Sequence, residues 1–367
     1  MKVLFYVRHN FHDSPGGAQI QIIKTKAYLE QRGIICDLTT TPQGIDFNAY
    51  DIVHLTDLTW VYDLLRYLKK LKKFKGKKVL STIYWPFDDY ASNGAPLLQK
   101  IIFKIFGING FEYAKAIAKC IMQKESVYLE GLKNSYIQNQ INIVNEVDWL
   151  LPNSKMEMEA LNNRLGLELE NFTVVNNAID TSVFDEILNI NKIKKAKNLI
   201  TFVARIDPRK NQLAFLEAMR ETTYRIRFIG NAAPNSMKYY DKLKKEASKR
   251  GNVEFISHIS QEEVFKHMME AKVNVLTSWI ETPGLVSLEA GYAGCNIVVT
   301  DKGSVRDYFK DYAFYCMPND INSIRIQTIK AMESEFDENF RTLIKKDFDW
   351  SNTAAQTYKG YQNVLNA

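Results

Sequence analysis

Two cations and two carboxylates in the second half of the chain have the types and spacing of an anion-binding site. Arg205 ends the apolar stretch ITFVAR, and Lys210 follows five residues later, near an expected helix start. Two such cations can neutralise a diphosphate without a metal and stabilise it as it leaves. Glu281 and Glu289 are eight residues apart, and a carboxylate can accept hydrogen bonds from two neighbouring ribose hydroxyls. Ordinary solvated charges on turns and helices are the alternative interpretation.

The segment TSWIETPGLVSLEAGYAG (277–294) predicts a helix that presents backbone N–H groups to a ligand. Thr282 suits the N-cap and Pro283 suits the first helical position. The positive end of a helix binds phosphate. Glu289 is then expected two turns inside the helix, about 10 Å along its axis. The exposed N–H groups would be those of Gly284, Leu285 and Val286.

A third candidate is the pair Gly16-Gly17, between the apolar run KVLFYV and the first predicted helix. Paired glycines allow a tight turn and a close approach of the backbone to a phosphate. The full G-x-G-x-x-G pattern is absent, so the pair fits any Rossmann-like domain.

Strands and helices must alternate to position these residues. Apolar runs and amphipathic stretches follow one another from KVLFYV to KKVLSTIYW, and the same order restarts at NLITFVARI after the polar stretch 185–198. Alternation of this kind predicts two α/β domains with parallel sheets. Two such halves facing each other would hold a ligand in a cleft at the carboxyl ends of the strands.

In their order and spacing, these motifs resemble the family 4 glycosyltransferases of the GT-B fold. The matching stretches are SPGGAQ (14–19), LPNSKMEMEAL (151–161), VVNNAIDTSVF (174–184), VARIDPRKNQ (203–212), RFIGN (227–231), VEFISHIS (253–260) and the E-x7-E of Glu281 and Glu289. The resemblance implies two Rossmann-like, doubly wound domains facing across a cleft, with a C-terminal helix crossing back to the N-terminal domain. The implied bounds are 1–176 for an acceptor-side domain, 177–197 for a linker, 198–346 for a nucleotide-sugar-binding domain and 347–367 for the returning helix.

The resemblance implies a retaining glycosyltransferase that needs no metal or other cofactor. Its expected donor is a nucleotide-diphosphate sugar, with a UDP-sugar as the first candidate. Arg205 and Lys210 would hold the diphosphate, Glu281 would touch the transferred sugar, and Glu289 would bind the ribose. The leaving phosphate would help to deprotonate the acceptor, a cell-surface glycan or a lipid-linked glycan. Further donor-binding residues implied by the resemblance are Gly16, Gly17, Gly230, Ser257, His258, Gly284, Leu285 and Val286.

The acceptor side is expected in the first half of the chain. Many family members carry a His where this sequence has Tyr84, next to Trp85. That His contacts the sugar near its 6-hydroxyl, so a 6-deoxy sugar or a pentose becomes an alternative to a hexose. His12, like His9 and His54, is expected at the end of a strand near the cleft. Tyr84, Trp85 and His12 are the acceptor-side candidates, with a structural role as the alternative for His12.

Charge and composition limit the classes of partner and the cell compartment that the sequence predicts. The net charge is +6, and the first 80 residues carry 13 Lys and Arg against 7 Asp and Glu. Seven lysines in Lys69–Lys78 and the apolar, lysine-dotted stretch 97–125 predict contact with an anionic membrane surface; a solvated basic face and a packed insertion are the alternatives. A local basic excess without a recognised module argues against nucleic acid. Scattered cysteines and a short apolar N-terminal run predict a cytoplasmic protein, with peripheral attachment to the inner membrane face as an option.

Two other functions stay open. A GT-B-shaped scaffold subunit of a polysaccharide assembly system that has lost turnover would explain the departure at Tyr84, although it leaves the retention of Arg205, Lys210, Glu281 and Glu289 unexplained. Another GT-B enzyme, such as a UDP-sugar epimerase or a phosphorylase, would explain the cleft but not the four-residue pattern. The five histidines show no zinc-binding spacing, so no metal site is predicted.

Overall fold

A computed structural model describes residues 1–12, 16–123 and 129–367, with the backbone alone for residues 116, 118–123, 129 and 130. Ser14 and Pro15 of the first glycine-bearing motif, and residues 124–125 of the predicted membrane-contacting stretch, lie outside the described residues. The chain forms two compact units. The first comprises Met1–Ser92, Pro96–Asn177 and Trp350–Ala367, and the second comprises Asn93–Ala95 and Ala178–Asp349.

The first unit is built on a parallel sheet with the strand order β2-β1-β3-β4-β5. Its strands are β1 (Lys2–Tyr6), β2 (Ile35–Thr39), β3 (Ile52–Thr56), β4 (Lys77–Ser81) and β5 (Trp149–Leu151). Its helices up to this point of the chain are α1 (Gly17–Gln31), α2 (Val61–Lys70), α3 (Leu97–Gln123), α4 (Tyr136–Glu146) and α5 (Lys155–Leu165). The order of connection reverses between β1 and β3, and ligands of such sheets bind at the carboxyl ends of the two strands where it reverses.

The second unit contains a parallel sheet with the strand order β11-β10-β9-β6-β7-β8. Its strands are β6 (Ala196–Val203), β7 (Arg225–Ile229), β8 (Val253–Ile256), β9 (Ala271–Leu276), β10 (Asn296–Thr300) and β11 (Ala313–Cys316). Its helices are α6 (Thr181–Ile190), α7 (Gln212–Ala218), α8 (Met237–Ser248), α9 (Gln261–Glu270), α10 (Leu285–Tyr292), α11 (Val305–Phe309), α12 (Ile321–Glu333) and α13 (Glu338–Asp347). This is the order of a dinucleotide-binding sheet, with its reversal between β6 and β9.

Continuous apolar runs form these strands because helices cover both faces of the sheets. Every residue of β3 and of β10 is buried. Strands buried on both faces carry unbroken Val, Ile and Leu, without the polar alternation of a half-exposed sheet. The prediction of two α/β domains with parallel sheets is confirmed.

About half of the stretch predicted as a linker (177–197) is instead helix α6 of the second unit. Phe184 and Ile187 of α6 are buried in its core, and the ring of Phe184 stacks on that of Phe265 with centroids 4.1 Å apart. Apolar residues three apart form one helical stripe, which the polar residues between them obscure in the sequence. The parts of the predicted linker outside helices and strands are residues 177–180 and 191–195.

The last helix, α14 (Trp350–Asn366), returns to the first unit, as predicted. The hydroxyl group of Tyr361 lies 2.6 Å from Nδ1 of His54, and the other ring nitrogen of His54 lies 2.8 Å from Oγ of Ser81. Burial lowers the pKa of His54 to about 3. His54 is therefore a neutral structural residue within β3, and the expectation that it lies at a strand end is wrong.

No helix among the residues described above is long and apolar enough to cross a membrane.

Candidate functional site

The predicted cations and carboxylates come from the two strands at which the second sheet reverses its order. Arg205 and Lys210 follow β6, and Glu281 follows β9. Because β6 and β9 are hydrogen-bonded neighbours running in the same direction, the loops after them emerge side by side. The topology thus brings residues that are 71 positions apart into one site.

Lys210 and Glu281 form the central contact of this site. Nζ of Lys210 donates a hydrogen bond of 2.5 Å to Oε1 of Glu281. The Glu281 side chain is 7% exposed and that of Lys210 is 26% exposed. A charge this deeply buried requires a partner, so the pair neutralises Glu281 while part of the lysine stays open to solvent.

The backbone of Glu281 is fixed by the loop after β10. Its N–H donates to the carbonyl of Lys302, and its carbonyl accepts from the N–H of Ser304. Gly303 packs against it with a φ of +103°, and a Cβ there would lie 1.9 Å from the carbonyl oxygen of Glu281. Only glycine fits at position 303. The close packing of Gly303 fixes the backbone of Glu281, and this fixed backbone places the Glu281 carboxylate beside Lys210.

Arg205 is oriented by a buried carboxylate that sequence reasoning did not single out. Oδ2 of Asp207 accepts a hydrogen bond of 3.0 Å from Nε of Arg205, and its other oxygen accepts from the N–H of Arg209. Asp207 is 7% exposed, whereas Arg205 is 51% exposed. Holding a guanidinium at Nε leaves its two terminal nitrogens for an anion, which Arg binds in a bidentate manner.

Helix α10 begins two residues later than predicted. Its N-cap is Gly284, with a φ of +87°, and Thr282 and Pro283 precede it instead of serving as N-cap and first helical residue. A positive φ is costly for residues with a Cβ, so the cap falls on the glycine. Glu289 therefore lies one turn inside the helix, about 6 Å from its start, and not two.

The first turn of α10 has backbone N–H groups without an acceptor in the helix, and their role as ligand contacts stays a prediction. Helix geometry gives the N–H groups of Leu285 and Val286 no acceptor within the helix. A Cβ on Gly284 would lie 3.1 Å from Oε2 of Glu281, so the cap and the carboxylate are direct neighbours. Lys210, Glu281 and the start of α10 thus form one continuous group.

Glu289 is half-buried and contacts the start of α9. Nε2 of Gln261 donates to Oε1 of Glu289 at 2.9 Å. Burial raises the pKa of Glu289 to about 7, the amide of Gln261 opposes this rise, and the charge of Asp180 adds to it. A carboxyl group poised near neutrality gains stabilisation as an anion from any further hydrogen-bond donor, such as a pair of hydroxyls.

The loops after β7 and β8 carry the remaining donor-side candidates. Gly230 has a φ of +141°, and a Cβ there would lie 2.1 Å from the carbonyl of Ala204, so close packing against the chain after β6 explains this glycine. Ser257 and His258 are exposed. The N–H of His258 donates to Oδ1 of Asn231, whose own carbonyl accepts from the N–H of Ile206. Asn231 thus ties three neighbouring loops together.

The other predicted site residues belong to the first unit. Gly16 is the N-cap of α1 with an extended backbone, and nothing lies within 4 Å of a Cβ built on it. Gly17 is the first residue of α1. His12 is exposed, with its ring edge against Phe11. No steric demand of the fold explains Gly16, so a close approach to a ligand stays a prediction.

The structure does not support Tyr84 as a surface residue of the acceptor side. Its ring is 4% exposed in the core of the first unit, where burial raises its pKa to about 12. Its N–H donates to Oε1 of Glu157, a fully buried carboxyl group that also binds Thr82 and the N–H of Asn153. This contact turns the chain after β4 inward. Trp85 is half-buried.

Sequence reasoning missed Asp207, Asn231 and Gln261. Asp207 had a local signal, because Asp before Pro-Arg-Lys caps a short turn and its side chain accepts from Arg209. Asn231 and Gln261 act through partners distant in sequence, which no local pattern reveals. In the described part of the chain, no three His, Cys, Asp or Glu side chains are grouped so that they could hold a metal ion.

Comparison with known proteins identifies the fold. The family model described as "Glycosyl transferases group 1" matches residues 183–350. Sucrose-phosphate synthase from Thermosynechococcus elongatus is similar with a TM-score of 0.73 and 14% identity, covering 100% of this chain and 99% of that one. Anabaena HepE in complex with UDP is similar with a TM-score of 0.67 and 15% identity, covering 99% of this chain and 100% of that one. The apo form of the lipopolysaccharide outer core galactosyltransferase WaaB is similar with a TM-score of 0.64 and 15% identity, covering 100% of this chain and 99% of that one.

A search of curated proteins found no match. The predicted GT-B fold is confirmed, since these neighbours share it over nearly their whole lengths. With the glycines, cations and carboxylates of its second unit arranged as described, the chain has the GT-B fold, and its residues 183–350 match the family model of the glycosyl transferases group 1.

Proposed function

We propose that this protein transfers a sugar from a nucleotide-diphosphate donor, UDP-sugar in the first place, to a hydroxyl group of a glycan or lipid-linked glycan. The observation that carries the proposal is the contact between Lys210 and Glu281 beside the start of α10, at the reversal point of the second sheet. The structure of HepE with UDP and that with UDP-glucose support UDP as the nucleotide.

The diphosphate is bound by the terminal nitrogens of Arg205, by Lys210 and by the N–H groups of Leu285 and Val286. Arg205 has its Nε committed to Asp207, so its charge points outward with little loss of side-chain freedom. Lys210 keeps a quarter of its surface open. Cations and helix N–H groups together stabilise the charge that develops on a departing diphosphate.

The carboxylates bind hydroxyl groups of the donor. Glu281 shares its charge with Lys210 through one oxygen, and Oε2 faces Gly284. That oxygen is the acceptor for hydroxyls of the transferred sugar. Glu289 accepts from the ribose hydroxyls in place of, or beside, the amide of Gln261. Ser257 and His258 lie along the base.

Transfer breaks the bond between the anomeric carbon and the diphosphate oxygen, which keeps the electron pair. Lys210 and Arg205 neutralise that oxygen's charge, so the step needs no metal in this proposal. We further propose retention of the anomeric configuration, with the leaving phosphate helping to accept the proton of the acceptor.

Peripheral membrane contact is proposed through α3. Its first half exposes a nearly continuous apolar surface, made of Leu97, Leu98, Ile101, Ile105 and Phe106. Lys104 lies exposed among them. Apolar side chains with interspersed cations suit an anionic lipid surface. In the lysine-rich stretch Lys69–Lys78, Lys77 and Lys78 are half-buried residues of β4. The exposed apolar side chains make α3 the better-supported contact.

We propose the cytosolic side of a membrane as the place of action. Cys36, Cys295 and Cys316 are buried thiols without a disulfide, which suits a reducing compartment. A scaffold subunit without turnover is the second candidate. It is favoured only by the departure at Tyr84, and the burial of that residue weakens the argument.

Isothermal titration calorimetry with UDP, UDP-glucose, UDP-galactose and UDP-N-acetylglucosamine tests the proposal. Thermal unfolding gives a second measurement of binding, since a ligand at about 100 times its Kd raises the free energy of unfolding by about 2.7 kcal/mol. Glu289→Gln and Arg205→Ala should each weaken UDP binding at least about tenfold, which is about 1.4 kcal/mol. The control is Glu335→Gln, an exposed carboxylate far along the chain. Absence of binding to every nucleotide would overturn the proposal, and binding without donor turnover would favour the scaffold.

A further inference from the structure

An asparagine that directly follows Lys210 joins three loops of the second unit. The side-chain nitrogen of Asn211 donates to the carbonyl oxygen of Thr277 at 3.2 Å and to that of Pro318 at 2.7 Å. Because a carbonyl only accepts, the amide of Asn211 must turn its NH2 group toward both partners. Thr277 follows β9 and Pro318 follows β11, so this one side chain ties the loop after β6 to two other loops.

The backbone of Asn211 lies in the left-handed region, with a φ of +62°. Asparagine is one of the few residues besides glycine that adopt this conformation as single residues. Here it separates the short turn Pro208–Lys210 from α7. Its N–H donates to the carbonyl of Pro208, and its carbonyl accepts from the N–H of Phe215. Both the backbone and the side chain of Asn211 are therefore fixed.

Helix capping does not explain this side chain. An asparagine before a helix usually accepts a hydrogen bond from the first turn through its side-chain oxygen. Asn211 is the N-cap of α7, yet its side chain makes no capping hydrogen bond. Its amide instead donates to two loops outside the helix. The side chain of Asn211 thus sets the arrangement of the loops and does not start the helix.

The residues before and after Lys210 are both bound to the loop that carries Glu281. On one side, the carbonyl of Arg209 accepts from the N–H of Trp279 at 2.9 Å. On the other side, the amide of Asn211 holds the beginning of the same loop. Lys210 has a flexible four-carbon side chain, so fixing the backbone on both sides of it limits where its ammonium group can lie.

The place of that ammonium group matters because Lys210 has two tasks under the proposed function. It neutralises Glu281, which is 7% exposed, and its own open part binds the diphosphate. A lysine ammonium acts as a point charge whose attraction to an anion falls with distance. A shift of the lysine backbone away from the Glu281 loop would therefore weaken both interactions.

We propose that Asn211 is a positioning residue of the donor site: its left-handed backbone and its amide hold Lys210 against the Glu281 loop and so set the affinity for a nucleoside diphosphate. The inference rests on the proposed function for its ligand. It concerns residues of the second unit alone, since Asn211, Lys210, Thr277, Glu281 and Pro318 all belong to that unit.

Isothermal titration calorimetry with UDP measures the effect on affinity. Asn211→Gly keeps a left-handed backbone and removes the amide, and it should raise the Kd for UDP about fivefold, the usual effect of one hydrogen bond. Asn211→Ala also disfavours the backbone conformation and should raise the Kd at least about tenfold. Neither rise should exceed that of Lys210→Met, because Asn211 acts through the lysine.

A double-variant cycle separates positioning from a general loss of structure. In the Lys210→Met background, Asn211→Gly should change the Kd for UDP less than about twofold, since the group that it positions is gone. Asn296→Ala is the matched control. The amide of Asn296 also donates to two carbonyls, those of Ala331 and Ser334, but Asn296 begins β10 and lies at the opposite end of the sheet. Its loss should lower the free energy of unfolding and leave the Kd within about twofold.

The ammonium group of Lys210 gives a readout that does not depend on UDP. In nitrogen-15 spectra of the lysine side chains, an ammonium group bound to a buried carboxylate exchanges its protons slowly and gives a separate signal, which Lys210→Met assigns. Asn211→Gly should shift or broaden this signal, whereas Asn296→Ala should leave it unchanged. Urea unfolding shows which variants are folded, and Asn211→Ser, which keeps one donor, replaces Asn211→Gly if the glycine variant is not.

The outcomes distinguish this inference from the proposed function. Absence of UDP binding by the wild type would overturn the proposed function and the effect on affinity, and the Lys210 signal alone would then decide whether Asn211 positions the lysine. With UDP bound by the wild type, three results would overturn the inference: a Kd of folded Asn211→Gly within twofold of the wild type, an equal rise of the Kd in the Lys210→Met background, or an unchanged Lys210 signal.

Discussion

Lys210 and Glu281 are 71 positions apart in sequence, and a 2.5 Å hydrogen bond joins their side chains at the point where the strand order of the second sheet reverses. The lysine comes from the loop after β6 and the glutamate from the loop after β9. In the structure, the pair satisfies the buried carboxylate. Under the proposed function, binding of a diphosphate would require Lys210 to divide its donors between two anions, which its three N–H bonds allow.

The first prediction concerns the stability that this pair contributes. Lys210→Met should lower the free energy of unfolding by about 2 kcal/mol, because it leaves a nearly buried carboxylate without its partner. The double variant with Glu281→Gln should recover at least half of that loss, since no unpaired charge remains. Urea unfolding measures both.

Lys249→Met is the matched control for this experiment. Lys249 is 62% exposed in its pair with Glu246, so its loss should cost less than about 0.5 kcal/mol. Equal losses for Lys210→Met and Lys249→Met would show that burial of Glu281 does not matter.

The second prediction follows from the pKa of Glu289, which burial raises from 4.5 to about 7. The unfolded chain ionises near pH 4.5, whereas the folded protein holds the proton until about pH 7. The stability that Glu289 contributes is thus present below pH 4.5 and is lost as the pH rises through 7. Relative to Glu289→Gln, the wild type should lose on the order of 2 kcal/mol across this window.

Urea unfolding of both proteins at half-unit pH intervals measures that difference. Glu157, whose pKa burial also raises to about 7, titrates in the same window but is present in both proteins and cancels. Parallel curves for the wild type and Glu289→Gln would show that the carboxyl group titrates normally.

The third prediction compares two glycines with opposite surroundings. Gly303→Ala should lower the free energy of unfolding by more than about 3 kcal/mol, because its Cβ would overlap the carbonyl of Glu281 at a positive φ. Gly16→Ala should change it by less than about 0.5 kcal/mol, since its backbone is extended and the space is open. Thermal or urea unfolding decides, and a Gly303→Ala variant as stable as the wild type would contradict the fixed position of Glu281.

The fourth prediction tests the membrane contact of α3. Replacing Ile105 and Phe106 by Glu should weaken binding to vesicles of phosphatidylcholine and phosphatidylglycerol at least about tenfold, because two large apolar side chains no longer leave water. Ile190→Glu is the control, an 80% exposed isoleucine of the second unit. Sedimentation with vesicles measures binding, and equal binding of all three proteins would exclude α3 as the contact.

Local patterns in the sequence predict the elements and the types of site residue, but not the contacts between them. KVLFYV and NIVVTD predict β1 and β10 because strands covered on both faces need unbroken apolar side chains. The pairing of Lys210 with Glu281 depends on β6 lying beside β9, a consequence of strand order that neither segment encodes alone. Asn231 and Gln261 escaped notice for the same reason.

The errors have equally specific causes. The start of α10 was predicted from Thr282 and Pro283, whereas the positive φ of Gly284 decides it. Tyr84 was an acceptor-side candidate because many family members carry a His at that position, but its N–H binds Glu157, 73 residues away, and its ring is buried in the core. Both depend on backbone conformation and long-range contacts that residue types do not specify.

The return of α14 to the first unit also has a meaning for synthesis on the ribosome. The hydroxyl of Tyr361 that meets His54 is made only after the whole of the second unit has been translated. Until then, the newly made first unit lacks the helix that packs against α1, β4 and β5, so apolar surface there stays exposed to chaperones. Folding of this half is therefore completed only after the second unit has been translated, whatever the order in which the two sheets form.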